Sequence, residues 1–197
     1  MERSDPKRLD RRLDGFGTRW FDPKGGRIEV LDLAPALSTP EMEQSIRARV
    51  AAFPGPGVQA LAPVRRVERN GATLSVVTAT PVGVPLAELL AAAEFGLVDV
   101  SSDAAFAIAS AMVSRLSDVH DRPGGIAHGA LSPAHVIVQR DGGVTFTGWS
   151  LAAALALLER PGPSLWTEFG LLPSPAGAGL PDRRADVMQL GLLVLAV

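Results

Sequence analysis

Few side chains in this sequence could do covalent or metal chemistry. There is no Cys or Tyr, Asn70 is the one asparagine, and of 19 basic residues only Lys7 and Lys24 are lysines. A thiolate nucleophile, a disulfide framework and a Cys-based zinc site are therefore excluded. Three histidines remain as metal or acid–base candidates. His128 and His135 stand seven apart and His120 precedes them, a spacing open to a three-histidine site but more simply read as packed, neutral imidazoles. The segment GFGTRW, with Gly15 and Gly17, could cradle an anion on its backbone N–H groups or be no more than a glycine-rich hairpin tip. Arg65-Arg66 and Arg183-Arg184 could grip a phosphate but read as solvated faces. Trp166 and Phe169, in LWTEFG, are either folded back on a core or offered to a partner.

Elements must position these residues. Thr18 opens one β-prone stretch, 18–21, and a second, 27–33, follows across Asp22-Pro23-Lys24-Gly25-Gly26, a hairpin signal. Ser38-Thr39-Pro40 predicts a helix start and Pro54-Gly55 its end. Strands at 62–68 and 73–80 meet at Asn70-Gly71. A short helix begins near Pro85, and a long one over 101–120 carries an apolar stripe of Phe106, Ala109, Val113, Leu116 and His120. Two short strands at 136–139 and 144–147 follow, then a Pro/Gly-rich loop over 161–180 and an apolar helix from about 184. The order predicts an α+β chain with a sheet-rich first lobe and a helical second one.

The 197 residues carry 19 basic against 21 acidic side chains. A net charge of −2 gives no field to attract nucleic acid or an anionic membrane. The longest apolar runs, 151–158 and 190–197, are eight residues each, well short of the roughly 20 needed to span a bilayer. The charged N-terminus has no secretory pattern, so a cytoplasmic protein is expected. Abundant Ala, Gly, Pro and Arg with scarce Lys and Asn suggest a GC-rich bacterial genome.

Taken in order, these segments resemble a protein kinase domain of the bacterial Ser/Thr type. GFGTRW resembles the glycine-rich loop, IEVLDL the strand of V-A-I-K, and HGALSPAHVIV the catalytic loop H-R-D-L-x-x-x-N. TFTGWS falls at D-F-G, Pro173-Ser174-Pro175-Ala176 at A-P-E, and DVMQLGLLVL resembles the central helix of the larger lobe. The resemblance implies a two-lobed fold: a polar extension over 1–14, a small lobe over 15–80, a hinge at 81–84 and a partial large lobe over 85–197 that stops in its central helix. Within the large lobe it implies a catalytic loop at 128–138, a metal-binding segment at 148–150, an activation segment over 151–176 and the central helix over 184–197.

By the same resemblance the phosphate-pairing lysine falls at Leu31, its glutamate at Glu43 or Gln44, and the catalytic aspartate at Ala130. The metal-binding asparagine falls at His135, the D-F-G aspartate at Gly148, the A-P-E glutamate at Ala176, and the third glycine near Trp20. His128, Leu131, Pro133, Trp149, Asp186 and Gly191 retain packing roles, with Asp186 expected to bond the catalytic-loop backbone. Asp118, Asp121 and Asp141 lie too far from the site to replace the lost carboxylates without a rearranged backbone. Phosphoryl transfer rests on charge neutralisation and Mg²⁺, for which Ala130, His135 and Gly148 supply no oxygen ligands.

The expectation is a pseudokinase: a protein-binding, regulatory scaffold with no catalytic residues, no metal and no cofactor beyond weak nucleotide binding without Mg²⁺. Its partners would be another protein, a neighbouring domain or a second copy, with neither nucleic acid nor a membrane span. The alternatives are an ATP-binding sensor or kinase using shifted residues, and a non-functional remnant.

Overall fold

The computed structural model describes residues 12–22, 28–52, 59–121, 126–160, 162–171 and 181–197. Lys7, Lys24, most of the expected first turn, Pro54-Gly55 and the segment holding Ala176 lie outside the described residues. The first sheet has five antiparallel strands in the order β1 (Arg12–Asp14), β2 (Gly17–Asp22), β3 (Ile28–Leu33), β5 (Thr73–Ala79) and β4 (Val64–Asn70). β1 corrects the expectation that residues up to 14 are only a polar extension. Asp14 pairs with Gly17, so Gly15 and Phe16 are the tip of a β1–β2 hairpin.

The Asn70-Gly71 signal does mark a hairpin, but one residue on. Asn70 pairs with Thr73, which leaves Gly71 and Ala72 as the loop. Gly71 takes φ +59° at the first central position, where a glycine meets the twist of the flanking strands without a Cβ penalty. Helix α1 (Pro40–Ala52) connects β3 to β4 and starts with proline at its first position.

A second, three-stranded sheet joins β6 (Val84–Pro85), β7 (Val136–Val138) and β8 (Val144–Phe146). Around it stand α2 (Leu86–Glu94), α3 (Ser102–His120), α4 (Ala152–Leu157), α5 (Gly162–Phe169) and α6 (Arg183–Ala196). The serine before α3 caps it, Ser101 Oγ accepting from Ala104 N at 3.2 Å. The stripe expected on α3 is rotated. Ile108, Met112, Leu116 and Val119 are buried, whereas Phe106 is 75% and Val113 52% exposed. Helices α4 and α5 also replace much of the loop expected over 151–176.

Two hydrophobic cores hold the lobes together. The first gathers Phe16, Leu31, Leu33, Met42, Ile46 and Val76 from the small lobe with Ala130, Leu151, Leu155, Phe169 and Leu171 from the large one. The second joins Ala60 and Leu61 to Leu86, Met112, Leu131, Phe146, Trp149 and Leu193. Backbone bonds reinforce this join: Ala62 N donates to Phe146 O and Phe146 N to Ala60 O, each at 2.8 Å. Shared cores of this kind couple the lobes, because opening them would return apolar surface from both to water.

Candidate active site

The cleft between the sheet lobe and the helical lobe is built on the inner face of β3. Side chains alternate across a strand, so Glu29, Leu31 and Leu33 share that face. In the β2–β3 register Arg19 stands opposite Leu31 and Phe21 opposite Glu29. Arg19 therefore faces the cleft from β2. Its Nη1 lies 2.7 Å from Glu29 Oε1, with both side chains almost wholly buried. Trp20, where the third glycine was expected, turns to the outer face and donates from Nε1 to Asp32 Oδ2 at 3.2 Å. Ser75 Oγ donates to the other Asp32 oxygen at 2.6 Å.

Leu31 is buried with Met42 and Ile46 of α1 in the first core. Neither candidate for an α1 glutamate turns toward it. Gln44 is exposed, and Glu43 pairs with Arg47 on its own helix and with Arg69 on β4, where Arg69 Nε lies 2.5 Å from Oε2. Those two guanidiniums hold the Glu43 carboxyl below its usual range. An apolar contact thus occupies the place between β3 and α1. Exchange of a buried ion pair for well-packed apolar residues is often neutral or stabilising.

The tip of the β1–β2 hairpin folds inward. Phe16 is 1% exposed, its ring 5.1 Å from those of both His135 and Phe169. His135 is fully buried. Its Nδ1–H donates to Ala130 O at 2.7 Å, which leaves Nε2 as acceptor for Arg19 Nη2 at 3.3 Å. Burial, and then the neighbouring Arg19 charge, push its pKa down to about 3, so the ring is neutral. Gly148 takes φ +74°, and a Cβ there would lie 2.8 Å from the His135 ring. No side chain fits at that position while His135 packs on it.

The loop that bears His128 is held from beneath. Asp186, fully buried at the start of α6, accepts from His128 N at 2.5 Å and from Gly129 N at 2.7 Å. His120 Nε2 lies 2.8 Å from the same carboxylate. His128 donates from Nε2 to Thr147 O at 3.0 Å and accepts at Nδ1 from Ala130 N at 3.2 Å. Burial pushes its pKa down to about 4, with Asp186 opposing in part. Trp149 is buried and donates from Nε1 to Ala62 O at 2.8 Å. The rings of His128 and His135 thus meet at Ala130, one on its N–H and the other on its carbonyl, whereas His120 bonds the Asp186 carboxylate. Among the described residues no cluster of three or more His, Asp or Glu side chains could hold a metal ion.

Arg49 was not singled out from the sequence. It lies one turn after Ile46 and two after Met42, on the same face of α1, and donates to the carbonyls of Trp149 (2.6 Å), Ala127 and His128 (3.1 Å). Burial pushes its pKa down to about 10, which keeps it charged at neutral pH. Arg19 and Glu29 were also missed. Their signal is positional: Glu29 alternates with Leu31 and Leu33 on one face of β3, and Arg19 stands opposite Leu31 on β2.

Other expected residues sit elsewhere. Phe169 is buried, so it belongs to the core and is not offered at the surface. Trp166 lies in α5, with its side chain outside the described residues. At Gly191 no close approach demands a glycine, since a Cβ there would meet nothing within 4 Å outside its own helix backbone. Asp141 bonds Gly143 N in its own turn at 2.9 Å, Asp121 accepts from Ser117, and Asp118 faces Arg115.

No protein-family model matches the sequence, and no curated protein matches it. Solved structures match it in shape. The kinase domain of Mycobacterium tuberculosis PknI, in a point-mutant form, aligns with a TM-score of 0.63 at 16% identity, covering 93% of this chain and 69% of that one. Another structure of that domain aligns at 0.61 and 18% identity, over 93% of this chain and 68% of that one. The maize SIRK1 (sucrose-induced receptor kinase 1) kinase domain, bound to AMP-PNP, aligns at 0.70 and 16% identity over 93% and 66%. The chain has a protein kinase-like fold, α+β and two-lobed, and spans about two thirds of the length of those domains.

Proposed function

We propose that this chain is a pseudokinase domain, a protein-binding and regulatory scaffold without phosphotransferase activity. The observation that carries the reading is the filled cleft. Phe16, His135 and the Arg19–Glu29 pair occupy the space beneath the glycine turn. The residues there do not fit a magnesium nucleotide. Mg²⁺ requires hard oxygen ligands, yet Ala130 and Gly148 supply none, both His135 nitrogens are engaged, and Glu29 is held by Arg19. Leu31 supplies no charge to pair with phosphate, and transfer depends almost wholly on such charge.

A scaffold acts by presenting surfaces. Along α3, Phe106, Ala109, Val113 and Val194 line an open, mainly apolar groove of about 620 Å³ together with three serines and Asp118. Exposed apolar surface of this sort is suited to a protein partner, a neighbouring domain or a second copy. No helix among the described residues is long and apolar enough to cross a membrane.

Labelled ATP, supplied with Mg²⁺ or Mn²⁺ and a generic basic protein, should give no incorporation above a boiled control. Incorporation would overturn the assignment. One observation favours a second reading, a nucleotide sensor: Arg19 places a guanidinium on the cleft face of β2 beside Leu31. Thermal shift with millimolar ATP and ADP, with and without Mg²⁺, separates the two. The scaffold reading expects no shift, and a metal-independent shift abolished by Arg19→Met favours the sensor.

A further inference from the structure

Helix α5 lies across the tip of the β1–β2 turn. Gly15 approaches it so closely that a Cβ would run into the carbonyl of Glu168. Phe169, the last residue of α5, packs on Phe16, and Phe16 in turn packs on His135. The ring stack therefore runs from α5 through the glycine turn to the loop of the large lobe. Leu165 and Phe169 touch the core, whereas Thr167 and Glu168 are exposed.

Two left-handed residues flank α5. Glu159, just past α4, has φ +49°, the region that side chains disfavour, and Gly170 ends α5 at φ +61°, as a glycine after a helix commonly does. Arg160 and Glu168 form an exposed ion pair at 2.8 Å that ties the start of the segment to its last turn. An eight-residue helix has little stability of its own. Detached from Phe16, α5 would melt. The neighbouring α4 differs, since Ala152, Ala154 and Leu155 are all fully buried.

We propose that α5 is a strap that closes the cleft by holding the glycine turn and Phe16 against His135, and that its release opens the cleft while the rest of the fold stays intact. This deepens the reading of the cleft as a closed, non-catalytic site and rests on it. The strap makes closure conditional. Whatever draws α5 away uncovers Phe16 and Phe169 together, and the surface presented to a partner then differs between the two states.

Hydrogen exchange on the full chain at low urea tests the proposal. Amides of α5 and of the β1–β2 hairpin should exchange together, about 100-fold faster than those of β5 and of the buried turns of α3, and independently of urea. Phe169→Ala should speed both segments at least about 10-fold and leave α3 unchanged. If that variant fails to fold, Arg160→Glu, which breaks the exposed pair, should speed both about 2-fold. Exchange of α5 only at the global rate of β5 would overturn the proposal. So would fast exchange of α5 with the hairpin still protected like β5. Neither result involves phosphoryl transfer, so a failed strap leaves the non-catalytic reading standing, and that reading falls only to incorporation of labelled phosphate.

Discussion

Replacement of Phe16 by alanine distinguishes a filled cleft from an open one. A residue between two glycines at a hairpin tip ordinarily faces water, and its truncation then costs under about 0.5 kcal/mol. Here the ring is 1% exposed and contacts the rings of His135 and Phe169, each 5.1 Å away between centroids. Removal of a buried phenyl ring forfeits roughly 1.5–3 kcal/mol of transfer free energy. Two aromatic contacts add about 0.5–1.5 kcal/mol each. Measured Phe→Ala costs in cores run about 3–5 kcal/mol, and a two-residue turn can settle partly into the gap. The expected loss is therefore about 3 kcal/mol. For a domain of this size each kcal/mol lowers Tm by about 2–4 °C, so a fall of about 6–12 °C is expected. Urea unfolding followed by tryptophan fluorescence would measure it, with Trp149 as a buried reporter and Thr18→Ala on the adjacent strand as control. A loss below about 0.5 kcal/mol would refute the reasoning, because the ring would then be in water and the cleft open.

The remaining predictions concern the loop beneath the cleft and its supports. Gly148→Ala should lose at least about 2 kcal/mol in urea denaturation, since it combines a positive φ with a Cβ placed 2.8 Å from the His135 ring. Arg49→Met should lose about 2–4 kcal/mol by the same measurement, because buried carbonyls of Ala127, His128 and Trp149 lose a charged donor. Arg49→Lys should recover less than half of that, since one ammonium does not reproduce the guanidinium fork. His128 and His135 have folded pKa values of about 4 and about 3, below the ordinary 6.5. Below pH 6.5 the unfolded chain therefore binds protons that the folded chain refuses, and stability, full above that pH, falls as pH drops toward 4. The slope should approach about 1.4 kcal/mol per pH unit per histidine in urea titrations between pH 7 and 5, and a flat profile would contradict the burial. Glu159→Gly should raise stability by about 0.5–1 kcal/mol, because Glu159 holds a positive φ that glycine adopts without strain.

Local chemistry made the element order legible in the sequence. The serine before α3 accepts a hydrogen bond from the helix backbone, Pro40 opens α1, and glycine after Asn70 turns the β4–β5 hairpin, each a preference that acts within four residues. Asp186 likewise bonds the backbone of His128 and Gly129, as the kinase resemblance implied. Tertiary structure alone decided which of two apolar stripes on α3 is buried. Phe106, Ala109 and Val113 recur at helical spacing as well as Ile108 and Met112 do, and only packing against the second core selects the latter. It also decided the content of the cleft. Arg19 meets Glu29 through a strand register, His135 meets Arg19 across 116 positions, and Arg49 reaches carbonyls 78 to 100 residues away. Periodicity and capping carry no information over such separations. The sequence by itself determined which side chains stand where the kinase resemblance puts its catalysts, since identity at a position needs no coordinates. What surrounds those positions follows only from the long-range contacts that close the two lobes on each other.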